Sequence, residues 1–202
     1  MDNRVNKHPV ERIYPNDDRV KPQTIAHHVA RYSLAISLKK PMGIAVDLGC
    51  GSGYGSNMLK QAGYTVWGVD RSGEAITYAK KNYQVDFDVI DLGNIVFESK
   101  ANSLITMFEV LEHLTRLKGL SLLSKISRGL KPGGIFIMSV PRDINPKNNG
   151  FHKSKWTYGM LKRELSTRFL SVEIIGQDWD TVKFSEENVK ENDFYIAICK
   201  ND

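Results

Sequence analysis

The chain reads as an α/β domain with a doubly wound, mostly parallel sheet of seven strands, and three observations predict it. Short apolar strands alternate with stretches of helical periodicity along the chain. The first strand runs into a glycine-rich turn, Val46-Asp47-Leu48-Gly49-Cys50-Gly51-Ser52-Gly53-Tyr54-Gly55. The second, Thr65-Val66-Trp67-Gly68-Val69-Asp70, ends on a carboxylate.

Ile25, Val29, Tyr32 and Ile36 recur at helical spacing, which predicts a helix over Thr24–Leu38 that Lys39-Lys40-Pro41 terminates. Strand Ile44–Leu48, a helix from about Tyr54, strand Thr65–Val69, helix Ser72–Asn82 and a short strand near Phe87–Ile90 follow as βαβ units. Ser103–Phe108 is the fourth strand. Leu120, Leu123, Ile126 and Leu130 mark the next helix and Ile135–Val140 a buried fifth strand. Tyr158, Leu161 and Leu165 mark a last helix, before strands Leu170–Gln177 and Phe194–Cys199. Residues 1–22 lack periodicity and read as a mobile arm or a lid, leaving 23–202 as the folded domain.

At 202 residues the chain suits one domain with one substantial core. No apolar run approaches the ~18 residues of a membrane span and the polar start is no secretory signal, so a cytoplasmic enzyme is expected. Cys50 and Cys199 show no metal spacing and read as free thiols. The formal charge of +5 is dispersed apart from 147–155 and the helix holding Lys162 and Arg163; a solvated surface explains it, and an anionic substrate or nucleic acid would also suit it.

Glycines at 49, 51 and 53 let a ligand approach the main chain, and Asp70 stands where a carboxylate takes the hydroxyls of an adenosine ribose. A dinucleotide would satisfy both features. Asp47 inside the turn discriminates, because a carboxylate repels a pyrophosphate and attracts the ammonium group of an amino-acid tail. That favours S-adenosylmethionine.

In such sheets ligands bind outside the carboxyl ends of the strands. Phe108-Glu109-Val110-Leu111-Glu112-His113-Leu114 follows the fourth strand, and one helical turn would bring Glu109, Glu112 and His113 to one side. His152 lies in the segment after the fifth. Glu109, Glu112, His113 and His152 together suit a divalent ion such as Mg²⁺ or Mn²⁺, with zinc or iron left open. Such an ion lowers the pKa of a hydroxyl nucleophile and orients it. Without a metal, His113 or His152 is the natural general base, with Glu112 beside it. A plain structural reading stands next to these: Glu109 lying under the cofactor, Glu112 capping or pairing, His113 packing, His152 an ordinary loop histidine. His27 and His28, on the first helix, read as solvent-exposed or lining the entrance. Trp156 and Tyr158 read first as packing residues, with stacking on a sugar or base as the alternative.

With these residues in view, the chain from about residue 24 onward resembles the class I S-adenosylmethionine-dependent methyltransferases. The Val46–Gly55 run is similar to the family's first motif, Gly68-Val69-Asp70-Arg71-Ser72 to its second, Asp91-Leu92 to its adenine-binding third, and Leu130-Lys131-Pro132-Gly133-Gly134 to the turn before its fifth strand. The resemblance implies a Rossmann-like fold whose last strand inserts antiparallel between the fifth and sixth. It places Gly49 and Gly51 at the methionine moiety, Asp70 at the ribose hydroxyls and Asp91 at the adenine amino group, with Asp47, Cys50, Gly53, Arg71, Leu92 and Phe108 also among the cofactor-binding residues. The Glu-x-x-Glu-His pattern with a later His resembles small-RNA 3′-terminal 2′-O-methyltransferases, which hold a metal there. The wider layout is similar to polysaccharide-locus and ubiquinone-type O-methyltransferases. The RNA enzymes' proline-rich segment before the first motif is missing, and so is the Asn/Asp-Pro-Pro-aromatic motif of many N-methyltransferases. The expected reaction is therefore methyl transfer to a hydroxyl of a small molecule, a sugar or related metabolite. The alternatives are an RNA 3′-terminal ribose and a degenerate scaffold serving as an interaction module.

Overall fold

The computed structural model describes residues 13–14, 20–38, 42–142 and 151–201. Helix α1, Pro22–Ser37, starts on a proline whose missing N–H loses nothing in a first turn. It leads to β1, Ile44–Leu48, and the glycine turn. Gly53, at φ 85°, caps α2, Tyr54–Ala62, which ends at Gly63 with φ 114°. After β2, Thr65–Asp70, the Ser72 side chain accepts from the Ala75 amide and opens α3, Gly73–Asn82, with Glu74 in its first turn and Lys80 and Lys81 in its last. Then come β3, Asp86–Val89, β4, Asn102–Phe108, a single 3-10 turn Leu111–His113, α4, Arg116–Gly129, and β5, Leu130–Pro141. Thr157 caps α5, Tyr158–Ser166, and β6, Ser171–Gln177, β7, Phe184–Ser185, and β8, Phe194–Asn201, complete the chain.

The sheet runs β3-β2-β1-β4-β5-β8-β6-β7. The first five of these neighbours pair in parallel, whereas β8 is antiparallel to both β5 and β6, from Gly134↔Asn201 to Pro141↔Phe194 on one side and from Ser171↔Lys200 to Gln177↔Phe194 on the other. Strand alternation splits the core in two. Ile105, Met107, Phe136 and Met138 face the layer holding α4 and α5, while Leu104, Phe108, Ile135 and Ile137 face α1 and α2. All seven residues of β4 are buried, as a central strand covered on both faces requires.

Two expectations need correction. The sheet has eight strands, not seven: β7 pairs only Gly176↔Ser185 and Gln177↔Phe184, too few residues to carry a period of two. Strand β5 also starts five residues early. The Leu130–Gly134 stretch joins it through a register shift against β4, with Gly133 at φ 65° making the bend. Of the proposed arm, residues 1–12 and 15–19 lie outside the described residues. Ile13 accepts a hydrogen bond on its carbonyl from the Ser52 hydroxyl at 2.6 Å, and Tyr14 packs edge-on against Tyr78.

Candidate functional site

The carboxyl ends of β1, β2 and β4 open onto a cavity of about 350 Å³. At its floor the Gly49 and Cys50 amides bond the Val69 carbonyl at 2.8 and 3.0 Å, which ties the turn to the end of β2. Gly49, at φ 74°, has no room for a Cβ, because Val110 Cγ2 would lie 2.4 Å away. Gly51, at φ 54°, meets nothing within 4 Å of that position. Its open face is part of the cavity wall. Asp70 is held between two backbone amides, accepting from Gly51 at 3.0 Å and Ser72 at 2.8 Å. Asp91 accepts from the Gly93 amide at 2.8 Å. Cys50, Arg71, Leu92 and Phe108 line the same space; burial pushes the Cys50 thiol far up, so it is no nucleophile.

Asp47 and Gly53 are not on the cavity surface. Asp47 is fully buried and accepts from the hydroxyls of Tyr32 (3.0 and 3.1 Å), Ser56 (2.6 Å) and Thr106 (2.7 Å). It ties β1 to α1, α2 and β4. Burial raises its pKa and the three hydroxyls pull it back. The direct attraction of Asp47 for an ammonium group is thus replaced by a structural role. Gly53 admits no Cβ because Ala79 and Phe87 would both lie 2.7 Å from it.

Beyond β4 the backbone does not make the helical turn expected of residues 109–113. Glu109 takes φ 54°, its amide reaching back to Ser139, and only Leu111–His113 turn, as a 3-10 helix. This separates the four expected ligands. Glu109 Oε1 accepts from the Ser139 hydroxyl at 2.6 Å and pairs with Arg31 Nη1 at 3.1 Å. Glu112, His113 and His152 come together instead, one ligand atom of each lying within 4.8 Å of the others. Glu112 is 1% exposed, and its Oε2 has no hydrogen-bond partner among the described residues. Burial first, and Glu109 second, push its pKa well up. His113 Nδ1 lies 3.1 Å from the Phe151 carbonyl, which can only accept, so Nδ1 is a protonated nitrogen. Burial and His113 lower the pKa of His152 and keep it neutral.

On the cavity face of α1, the sequence offered His27 and His28 as exposed or lining the entrance and gave Arg31 no role. Arg31 is 1% exposed; Nε donates to Gln177 at 2.8 Å, and the guanidinium stacks 4.4 Å from the Phe194 ring centre. Its Nη2 has no hydrogen-bond partner among the described residues. His28 also lines the cavity, and burial, then Arg31, hold its pKa well down. His27 is buried between the Gln23 and Asp178 carbonyls and stacks on Trp179. The i,i+3 spacing of His28 and Arg31 puts them on one helix side, and it marks a polar helix face equally well.

Residues 46–138 match the family model described as a methyltransferase domain. That stretch, under half of the 202 residues, is similar to a methyltransferase domain. S-adenosylmethionine is the methyl donor this family implies. Similar proteins include an uncharacterized methyltransferase of Synechocystis, 34% identical over 55% of this chain and 52% of that one, and a ubiquinone biosynthesis O-methyltransferase of Idiomarina loihiensis, 28% identical over 59% and 47%. The chain spans about half the length of the curated relatives it matches. The fold matches that of the N-methyltransferase NodS from Bradyrhizobium japonicum, solved with S-adenosylhomocysteine, at a TM-score of 0.70 and 18% identity over 96% of this chain and 93% of that one. The domain therefore sits in an α/β Rossmann-like methyltransferase fold. Among the described residues, no helix is long and apolar enough to cross a membrane.

Proposed function

We propose that this methyltransferase domain moves the methyl group of S-adenosylmethionine to a hydroxyl of a small molecule, a sugar or related metabolite, beside a divalent cation held by Glu112, His113 and His152. The meeting of those three side chains in the cavity carries the reading. The donor set fits such an ion: two imidazoles and one carboxylate, with His113 fixed through its other nitrogen by a carbonyl, the usual support of a ligating histidine. A cation also answers the buried Oε2 of Glu112, which otherwise carries an unpartnered acceptor. When bound, it supplies Lewis acidity that lowers the pKa of an acceptor hydroxyl.

The donor lies along the cavity with its adenine toward Asp91 and Leu92, its ribose hydroxyls on Asp70 and its methionine portion over Gly49 and Gly51. Arg31 Nη2 takes the methionine carboxylate, since a buried guanidinium nitrogen without an acceptor favours an anion. The acceptor enters from the side of His113, His152 and Lys153. Its oxygen forms a bond to the methyl carbon as the sulfur–carbon bond breaks, leaving S-adenosylhomocysteine; a cation-bound His152 has no free lone pair, so the hydroxyl proton then leaves to solvent, whereas without a cation neutral His152 takes it. Alignment is the chain's main contribution, because the sulfonium is already a good leaving group.

Assays with a hydroxylated sugar, a catechol, and short RNAs with and without a 3′-terminal 2′-OH test the acceptor class. Chelation should abolish turnover, and Mn²⁺ or Mg²⁺ should restore it. Methylation of RNA alone would replace the small-molecule acceptor with an RNA ribose. Turnover indifferent to chelator and to His152→Ala would remove the cation from the reading. Failure to bind S-adenosylhomocysteine would leave a scaffold acting as an interaction module.

A further inference from the structure

Trp156 lies far down the sequence from Glu112, yet its surroundings tie it to the same corner of the cavity. The Glu112 carbonyl accepts from two consecutive amides of the segment before α5, Lys153 at 2.8 Å and Ser154 at 3.1 Å. The Ser154 hydroxyl donates to the Leu114 carbonyl at 2.8 Å and accepts the indole N–H of Trp156 at 2.9 Å. Trp156 itself is 1% exposed. Its ring fits beside Gly119 of α4, where an added Cβ would come within 3.1 Å of Cζ2. Arg116 covers the other side at 4.4 Å from the ring centre and pairs with Glu164 of α5 at 3.5 Å.

The arrangement is a chain of constraints from the helix layer to residue 152. Packing fixes the indole, the indole N–H fixes the Ser154 hydroxyl, and Ser154 fixes the segment against the 3-10 turn that carries Glu112 and His113. Without its hydroxyl, residue 154 would keep the amide bond to Glu112 but lose the links to the Leu114 carbonyl and to the indole. A simple filler of the core would not need the N–H, since phenylalanine or leucine would pack there without a hydroxyl partner.

We propose that Trp156 and Ser154 are positioning residues that set the spacing of His152 from Glu112 and His113. This rests on the cation reading above for its purpose, but its geometry stands without a cation. Supporting side chains of this kind act through the ligands they orient, and their loss weakens metal binding roughly 10- to 100-fold.

The test uses the full chain with Trp156→Phe, Ser154→Ala and Ser154→Thr. In the metal-free protein the rings of His113 and His152, with centroids 4.9 Å apart, should show a ring-to-ring nuclear Overhauser effect. It should vanish in Trp156→Phe and Ser154→Ala and survive in Ser154→Thr, which keeps the hydroxyl. Mn²⁺ affinity, followed by calorimetry, should fall roughly 10- to 100-fold in the first two, with S-adenosylhomocysteine affinity unchanged in all three. If both deletions merely lower the melting temperature while the ring contact and Mn²⁺ affinity persist, the residues are packing residues and the proposal is wrong. Should the natural chain bind no Mn²⁺ while the ring contact still depends on Trp156, the cation reading fails and the positioning role remains.

Discussion

Asp47 and Asp70 are both carboxylates at the ends of adjacent parallel strands, and only their surroundings separate their roles. Asp47 is enclosed by three hydroxyls, so Asp47→Asn turns one acceptor oxygen into a donor facing groups already arranged to donate. Urea unfolding should show a loss of about 1–3 kcal/mol, the usual range for a buried polar group left without its partner. Asp70 reaches the cavity, and Asp70→Ala should weaken S-adenosylhomocysteine binding by about 2–4 kcal/mol in calorimetry, because charge-assisted contacts to the ribose and the anchor of the Gly51 amide go together. An unchanged affinity would place the ribose elsewhere. Both residues were legible in the sequence as site candidates. What was not legible is which one faces the ligand, because that depends on Tyr32 and Thr106, 15 residues before Asp47 and 59 after it.

At the level of elements, α1 shows how much periodicity reveals and where it stops. Ile25, Val29, Tyr32 and Ile36 announce the helix, yet Val29 is 38% exposed, and the residues aimed at the cavity, His28 and Arg31, are those a hydrophobic pattern passes over. The segment after β4 failed differently. Residue spacing assumed a helical turn, but Ser139 of the neighbouring strand captures the Glu109 amide and carboxylate, a contact between strands that no local pattern encodes. His28 gives α1 a measurable signature. Its folded pKa is held well down, so below the ordinary histidine value of about 6.5 the unfolded chain takes up a proton that the folded one refuses. Stability contributed by neutral His28 is thus present above that pH and declines as the pH falls, by at most about 1.4 kcal/mol per unit. Melting temperatures of the natural chain should drop more steeply between pH 7 and 5.5 than those of His28→Asn. Parallel curves would mean that His28 is protonated in the fold without penalty.

For the whole molecule, the doubly wound sheet follows from alternating strand and helix patterns, because parallel neighbours need a crossover and each helix must cover a face. The final strand was different: Phe194–Cys199 read as a strand, and its place between β5 and β6 came from resemblance to the methyltransferase family. Strand order is a long-range property, fixed when the last strand finds two open edges at once. That makes β8 the closing element of the sheet. Its buried residues Ile196 and Ile198 join the core layer of α1 and α2, while Tyr195, Ala197 and Cys199 join the opposite layer. Phe194, at its start, supports the Arg31 guanidinium. Removing residues 194–202 would expose the facing edges of β5 and β6 together with apolar surface on both sides of the sheet. The shortened chain should accumulate as insoluble protein, and any soluble fraction should lose the cooperative urea transition seen by circular dichroism. A cooperative transition retained within about 1 kcal/mol of the full chain would show that β5 and β6 close the sheet by themselves, and β8 would then be an accessory strand.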